Sequence, residues 1–155
     1  MIGSARLGVG SLVLAGAMVA AISSPAQAQF RDPQAAVKYR SSVMTLLGAH
    51  FGRLAPVAKK EAPFDQAAVQ ANVDVVKMLS DLPWAAYAPG YEGGEAKSEV
   101  WTDRAGFEKA SNDFKAAVKQ LDAASQAGDY DTFRVAFGKV GQSCKACHDA
   151  YRVKK

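Results

Sequence analysis

The chain reads as an all-α protein, an antiparallel four-helix bundle. Three observations predict it. Apolar residues recur at intervals of three and four in four separate segments, the period of a helix with one buried face. No alternating strand pattern extends beyond a few residues. The breaks between segments fall at proline, glycine and aspartate, and the connections after the first and third segments are shorter than the one after the second.

The first helix is predicted from about Asp32 to Leu54, with an extension toward Lys59. Asp32 supplies an N-cap carboxylate and Pro33 the fixed φ suited to the first helical position. Val37, Val43, Met44, Leu47, Phe51 and Leu54 form its apolar stripe, and Pro56 is placed to kink or stop it. The second helix runs from Asp65, its N-cap, to Leu82, with Val69, Val73, Val76 and Leu79 on one face and Pro83 as terminator. The connector from Pro83 to Trp101 holds Pro89, Gly90, Gly93 and Gly94 and reads as irregular. It also holds Trp84, Tyr87, Tyr91 and Trp101, an aromatic content that calls for packing, and connections of this length tend to carry function. The third helix starts at Thr102 or Asp103 and ends near Ala127, with Phe107, Phe114, Val118 and Leu121 inward and Gly128 as the C′ stop. The fourth starts near Asp129 and runs to the end of the chain. Its stripe of Phe133, Phe137, Val140, Cys144, Cys147 and Tyr151 puts both cysteines on the core face, with His148 one position beside it.

Those two cysteines are the only ones in the chain, and with the histidine they spell Cys144-Lys145-Ala146-Cys147-His148. C-x-x-C-H is the attachment signature of a c-type haem. Two thiols add across the porphyrin vinyl groups as thioethers, and the adjacent imidazole lies under the iron as its proximal ligand. A thioredoxin-like redox pair would need a βαβ context that the sequence lacks. A disulfide between cysteines three apart closes almost no loop and adds little stability. A zinc site needs four ligands and would have to recruit His50 from the first helix. The reading is therefore a bundle with one haem c per chain, covalently held near the C-terminal end of helix four.

Residues 1–28 read as a cleaved signal peptide and 29–155 as the haem domain. Arg6 precedes an apolar run from Leu7 to Ile22, followed by Ser23, Ser24, Pro25 and the A-x-A site Ala26-Gln27-Ala28. The run is shorter than the ~20 residues of a membrane span. No membrane association is expected after cleavage. In bacteria covalent haem attachment is completed outside the cytoplasmic membrane, so export and C-x-x-C-H agree on the periplasm. The formal net charge of +4 is too mild and dispersed for a nucleic-acid footprint.

Arg40 lies one turn before Val43 and Met44 on the first stripe. A buried arginine is costly unless paired. A haem propionate would supply the pair; otherwise the side chain snorkels to solvent. Met44 has three readings: an iron ligand, the lining of a distal pocket, or ordinary core packing. The other conceivable sixth ligands in the mature chain are Met78 and His50, and His50 reads as a solvated or satisfied histidine at the bundle edge.

Several stretches resemble cytochrome c′, the high-spin branch of class II c-type cytochromes. They are Ala36-Val37-Lys38-Tyr39-Arg40, His50-Phe51-Gly52-Arg53, Leu82-Pro83-Trp84-Ala85-Ala86, Pro89-Gly90-Tyr91-Glu92-Gly93-Gly94, and Val140-Gly141 through Cys144 to Arg152. The resemblance covers essentially all of 29–155. It implies a five-coordinate haem c with His148 proximal and a non-ligating side chain, here Met44, across the distal face. It implies a propionate contact from Arg40, a haem contact from Ser41 where relatives often carry glutamine, and Arg152 beside the proximal histidine. It further implies a homodimer formed through helices one and two, binding of NO and CO with O₂ largely excluded, and a role in nitric oxide handling in the periplasm.

Two functions follow. A gas-binding haem protein needs an open iron position behind a crowded apolar face, with no distal hydrogen-bond donor for O₂. An electron carrier with a periplasmic redox partner needs a saturated, low-spin iron, and Met44 would be its sixth ligand. Class I carriers place C-x-x-C-H near the N-terminus, unlike this chain. No distal histidine–arginine pair is evident from the spacing, so the expectation is a binding protein and not an enzyme.

Overall fold

The computed structural model describes residues 29–154. The predicted leader, 1–28, and Lys155 lie outside the described residues. Four long helices form the bundle: α1 Pro33–Ala58, α2 Gln66–Ser80, α4 Arg104–Ala127 and α5 Tyr130–Tyr151, with a one-turn helix, α3 Glu99–Thr102, in the long connector.

Each long helix begins on an aspartate. Asp32 accepts from Ala35 N at 2.7 Å, Asp65 from Ala67 N and Ala68 N at 3.0 and 3.1 Å, Asp103 from Gly106 N at 3.2 Å, and Asp129 from Thr132 N at 2.7 Å. These carboxylates satisfy N–H groups that have no partner inside the helix.

The ends of α2 and α5 depart from the sequence reading, whereas α1 keeps to its expected extension. Helix α1 continues through Pro56 to Ala58, because proline in the last turn forfeits only one hydrogen bond. The Pro56 carbonyl accepts from Glu61 N and Ala62 N, and Lys60 closes the turn with φ 63°. Helix α2 stops at Ser80, short of the expected Leu82, because the Trp84 indole takes the Ser80 carbonyl at 2.6 Å and turns the chain. Helix α5 stops at Tyr151. From there Arg152 pairs with Ala96 in an isolated antiparallel bridge, Lys97 N donating to Tyr151 O and Val153 N to Glu95 O, each at 2.9 Å.

The connector is ordered by packing. Trp84–Tyr87 forms a 3₁₀ turn, and Trp84 meets Phe107 and Phe114 edge-on at centroid distances of 6.0 and 6.2 Å. Trp101 anchors its indole on Ala88 O at 3.2 Å. Gly94, with φ 63°, runs so close to α1 that a Cβ there would sit 2.8 Å from Val37 Cγ1; only glycine allows both the conformation and the approach.

The core is made by the predicted stripes: Leu54, Val73, Val76, Val118, Leu121, Phe133 and Val140 are all sealed from solvent. Along α5 burial then falls, from Phe133 and Val140 to the half-buried Cys144, Cys147 and Tyr151. Helices α1 and α5 touch less than the other neighbouring pairs, and Phe51 stacked on Phe137 at 4.3 Å joins them at mid-height. Side chains of both helices then line a cavity.

One polar cluster sits within the α2–α4 interface. Asp122 is buried and accepts from Lys77 Nζ at 2.6 Å, Gln70 Nε2 at 3.1 Å and Gln126 Nε2 at 3.0 Å. Burial pushes its carboxyl up, but these donors outweigh burial and hold it below the ordinary carboxylate value. Because the folded value is depressed, its contribution is fully present above the ordinary carboxylate range and is lost as pH falls through the folded value. Asp122→Ala is expected to cost about 2 kcal/mol near neutral pH. Thermal melts of both proteins across an acid series should converge below the ordinary carboxylate pKa, and a constant gap down to strong acid would refute the assignment.

Candidate functional site

The cavity between α1, α5 and the connector has a volume of about 630 Å³, within the range of small-molecule and cofactor sites. Every site residue expected from the sequence lines it: Arg40, Ser41 and Met44 from α1, and Cys144, Cys147, His148 and Arg152 from α5 and its end. Helical spacing does this. Arg40 and Met44 are one turn apart on α1, while Cys144, Cys147 and His148 occupy adjacent turns of one face of α5.

The two cysteines are unpaired and half-buried. Burial pushes the Cys144 thiol up to about 11, with Cys147 adding to the effect, and burial pushes Cys147 up as well. This is opposite to the depressed thiol of a redox-active pair. His148 is exposed at the cavity rim, and its pKa is lowered by burial of the ring and then by Arg152, against Asp149 and Glu95. A neutral imidazole is the form that ligates a metal.

The other candidate ligands are placed elsewhere. His50 lies outside the cavity with Nδ1 3.1 Å from Asn72 Oδ1 on α2, so a zinc site recruiting it is not assembled. Met78 is 61% exposed on α2. Met44 alone of these reaches the cavity, where Leu47, Phe51, Val76, Phe114 and Val140 supply the apolar wall.

Arg40 departs from one of its two sequence expectations. It does not snorkel, being 3% exposed. Its charge is met first by the connector backbone: Nη1 donates to Ala86 O and Tyr91 O, and Nη2 to Gly93 O, each at 2.6 Å. The guanidinium also lies over the Tyr87 and Trp101 rings at 4.7 and 5.8 Å. The chain's turn carbonyls, invisible to pattern reading, are its partners within the protein. A guanidinium has five N–H donors, so two remain. Burial draws Arg40 below its ordinary value, while Tyr87 and Glu92 raise it. No carboxylate of the described residues lies within ion-pairing distance of it.

Arg152 caps the end of α5 and turns sideways. Its Nε and Nη2 both donate to Glu95 Oε2, at 2.9 and 2.7 Å. Lys97 Nζ takes the Asp149 and Ala150 carbonyls at 2.9 and 3.2 Å, so the connector straps the end of α5 beside His148. Tyr87 and Glu95 also line the cavity, and the sequence reading gave neither a role. Tyr87 was visible only as connector aromatic surface, and Glu95 carried no signal.

The residues fit a covalent haem. Two neutral thiols and an imidazole are spaced on one helix face, the walls are aromatic and aliphatic, and a buried cation without a carboxylate awaits an anionic group. The comparisons agree. The cytochrome C′ family model matches residues 35–152. The cytochrome c′ of Alcaligenes xylosoxydans is 56% identical over 127 residues, spanning 82% of this chain and all of that protein. That of Rubrivivax gelatinosus is 45% identical over 129 residues, 81% of this chain and all of the relative. A solved structure of an Alcaligenes xylosoxidans cytochrome c prime variant, ferrous with bound NO, superposes with a TM-score of 0.80 at 54% identity, covering 82% of this chain and all of that one. A carbon monoxide-bound variant superposes equally, at 55% identity over 81% of this chain and all of the other. On fold, site and sequence together, the chain belongs to the cytochrome c′ family, whose members carry a covalently bound haem c.

Proposed function

We propose that the mature protein is a periplasmic cytochrome c′ with five-coordinate, high-spin iron that binds NO and CO and sequesters nitric oxide. One observation carries this reading. All seven expected site residues line a single cavity, to whose α1 wall Met44, Leu47 and Phe51 contribute apolar side chains. A haem held there would supply an iron with one open coordination position for a diatomic ligand. Cys144 and Cys147 hold the ring, His148 binds the metal, Arg40 and Ser41 contact the propionate edge, and Arg152 stands on the proximal side. Beside Met44 on the α1 wall, the Thr45 hydroxyl donates to Ser41 O at 2.9 Å and is not free for a bound gas. That disfavours O₂, which gains from a distal donor, relative to NO and CO.

Ligand complexes of the Alcaligenes protein support the gas reading. The leader supports export: Arg6, the apolar run from Leu7 to Ile22 and the A-x-A site Ala26-Gln27-Ala28 have the form of a secretory signal. The test is an optical spectrum of the ferric protein. A high-spin, five-coordinate spectrum is expected, and a low-spin spectrum with a sulfur-to-iron charge-transfer band would establish Met44 ligation and an electron carrier instead.

His148→Ala is expected to retain part of the covalent haem, seen by haem staining after denaturing electrophoresis, while losing normal iron ligation. Haem that extracts into acid acetone from the wild type would refute attachment. A homodimer is also proposed. Leu46 on α1 and Met78 on α2 are 50% and 61% exposed, apolar surface that a two-fold interface through these helices would cover. Sedimentation equilibrium at micromolar protein should return twice the protomer mass, and a clean monomer would count against it.

A further inference from the structure

Besides the two cysteines and His148, six neutral hydrogen-bonding side chains line the cavity: Ser41, Thr45, Trp84, Tyr87, Ser143 and Tyr151. Four donate into the protein: Thr45 to Ser41 O, Trp84 to Ser80 O at 2.6 Å, Ser143 to Val140 O at 2.8 Å and Tyr151 to Asp103 Oδ2 at 2.7 Å. Ser41 is solvent-exposed, where water suffices. Tyr87 is half-buried, and its hydroxyl has no hydrogen-bond partner among the described residues. No buried polar side-chain atom of the described residues lacks a partner, so this hydroxyl opens onto the cavity space, where a bound acceptor can take its hydrogen bond.

The ring is fixed in place. Arg40 lies over it at 4.7 Å, and Phe107 and Trp84 pack against it at centroid distances of 5.0 and 6.4 Å. The Tyr87 carbonyl is tied to α4 by Arg104 Nη1 at 2.9 Å. So held, the phenol faces an acceptor without an ordering cost. Burial pushes the phenol up, against Arg40, with Cys147 raising it and Arg152 lowering it, so it remains a protonated donor at neutral pH. The three groups that act on it all line the cavity.

We propose that Tyr87 is a second cofactor-binding residue, its hydroxyl donating to the same haem carboxylate that the spare donors of Arg40 take. This rests on the haem reading above. Arg40 is a buried cation whose protein partners are neutral carbonyls, so the anionic edge of the cofactor is drawn to it. The hydroxyl belongs to the residue stacked under that guanidinium, and a carboxylate has lone pairs enough for both.

The test compares the holoprotein with Tyr87→Phe, which keeps the ring and its packing and removes only the donor. A hydrogen bond to the ionised carboxylate lowers its pKa, and ionisation of that carboxylate favours ferric iron. The pH-dependent fall in midpoint potential is therefore expected to move about 0.7 pH unit upward in Tyr87→Phe. A superimposable profile would overturn the proposal. So would an unchanged profile with a shifted stretching frequency of bound CO, which would put the hydroxyl over the distal face. A wild type without covalent haem would overturn the haem assignment itself, and this role with it; stained haem with an unmoved profile would overturn this role alone.

Discussion

Met44→Ala is expected to leave the ferric spectrum high-spin and to speed CO and NO binding by about 10- to 100-fold. Met44 is half-buried on α1, packs against the core and lines the cavity. An incoming ligand must displace it, and repacking a side chain in a filled site costs about 1–3 kcal/mol, which is about one to two decades in rate. Removing the thioether beyond Cβ abolishes that cost. Met44→Leu separates the two readings of the same atom. Leucine keeps the bulk and cannot ligate, so its kinetics and spectrum should stay near wild type if Met44 only blocks. Stopped-flow CO binding and the ferric spectrum of both variants decide the matter. A wild type that is low-spin and turns high-spin in both variants would make Met44 the sixth ligand, and the gas-binding reading would give way to electron transfer.

The bundle was legible because its helices obey local rules. Aspartate caps, a C′ glycine and four period-3.6 stripes mark segments whose structure is set by residues nearby in sequence. Cys144, Cys147 and His148 were legible for the same reason, since C-x-x-C-H is a local constellation whose chemistry fixes its spacing. The connector was not. Its shape comes from long-range partners, Arg40 to carbonyls 46–53 positions away and Arg152 to Glu95, which no periodicity encodes. The helix ends erred where tertiary contacts overrode local signals, as at Ser80, whose carbonyl is taken by Trp84. Tyr87 was hidden because its value lies in a lone hydroxyl, and sequence gives the phenol but not whether a partner satisfies it.

Arg40→Ala is expected to lower the stability of the holoprotein by about 3–5 kcal/mol, a fall in Tm of about 10–20 °C. Three hydrogen bonds from a charged donor disappear, and with them the packing of the guanidinium over Tyr87 and Trp101. The larger part of the cost is what remains: the carbonyls of Ala86, Tyr91 and Gly93 lose a donor, two of them around the tight approach of Gly94 to Val37. The desolvation cost of burying the guanidinium is recovered, which keeps the net loss below the sum of the bonds. Arg40→Lys is expected to recover little, because one ammonium on a flexible stem cannot replace a planar fork that spans three carbonyls. The damage should be local first. Limited proteolysis of Arg40→Ala should cut within the connector, near Gly93 and Gly94, under conditions where the wild type is resistant, while the haem stays attached through Cys144 and Cys147. A variant that melts within a degree or two of wild type and resists the protease would show that the connector folds without this clamp, and would leave Arg40 with the propionate as its sole task.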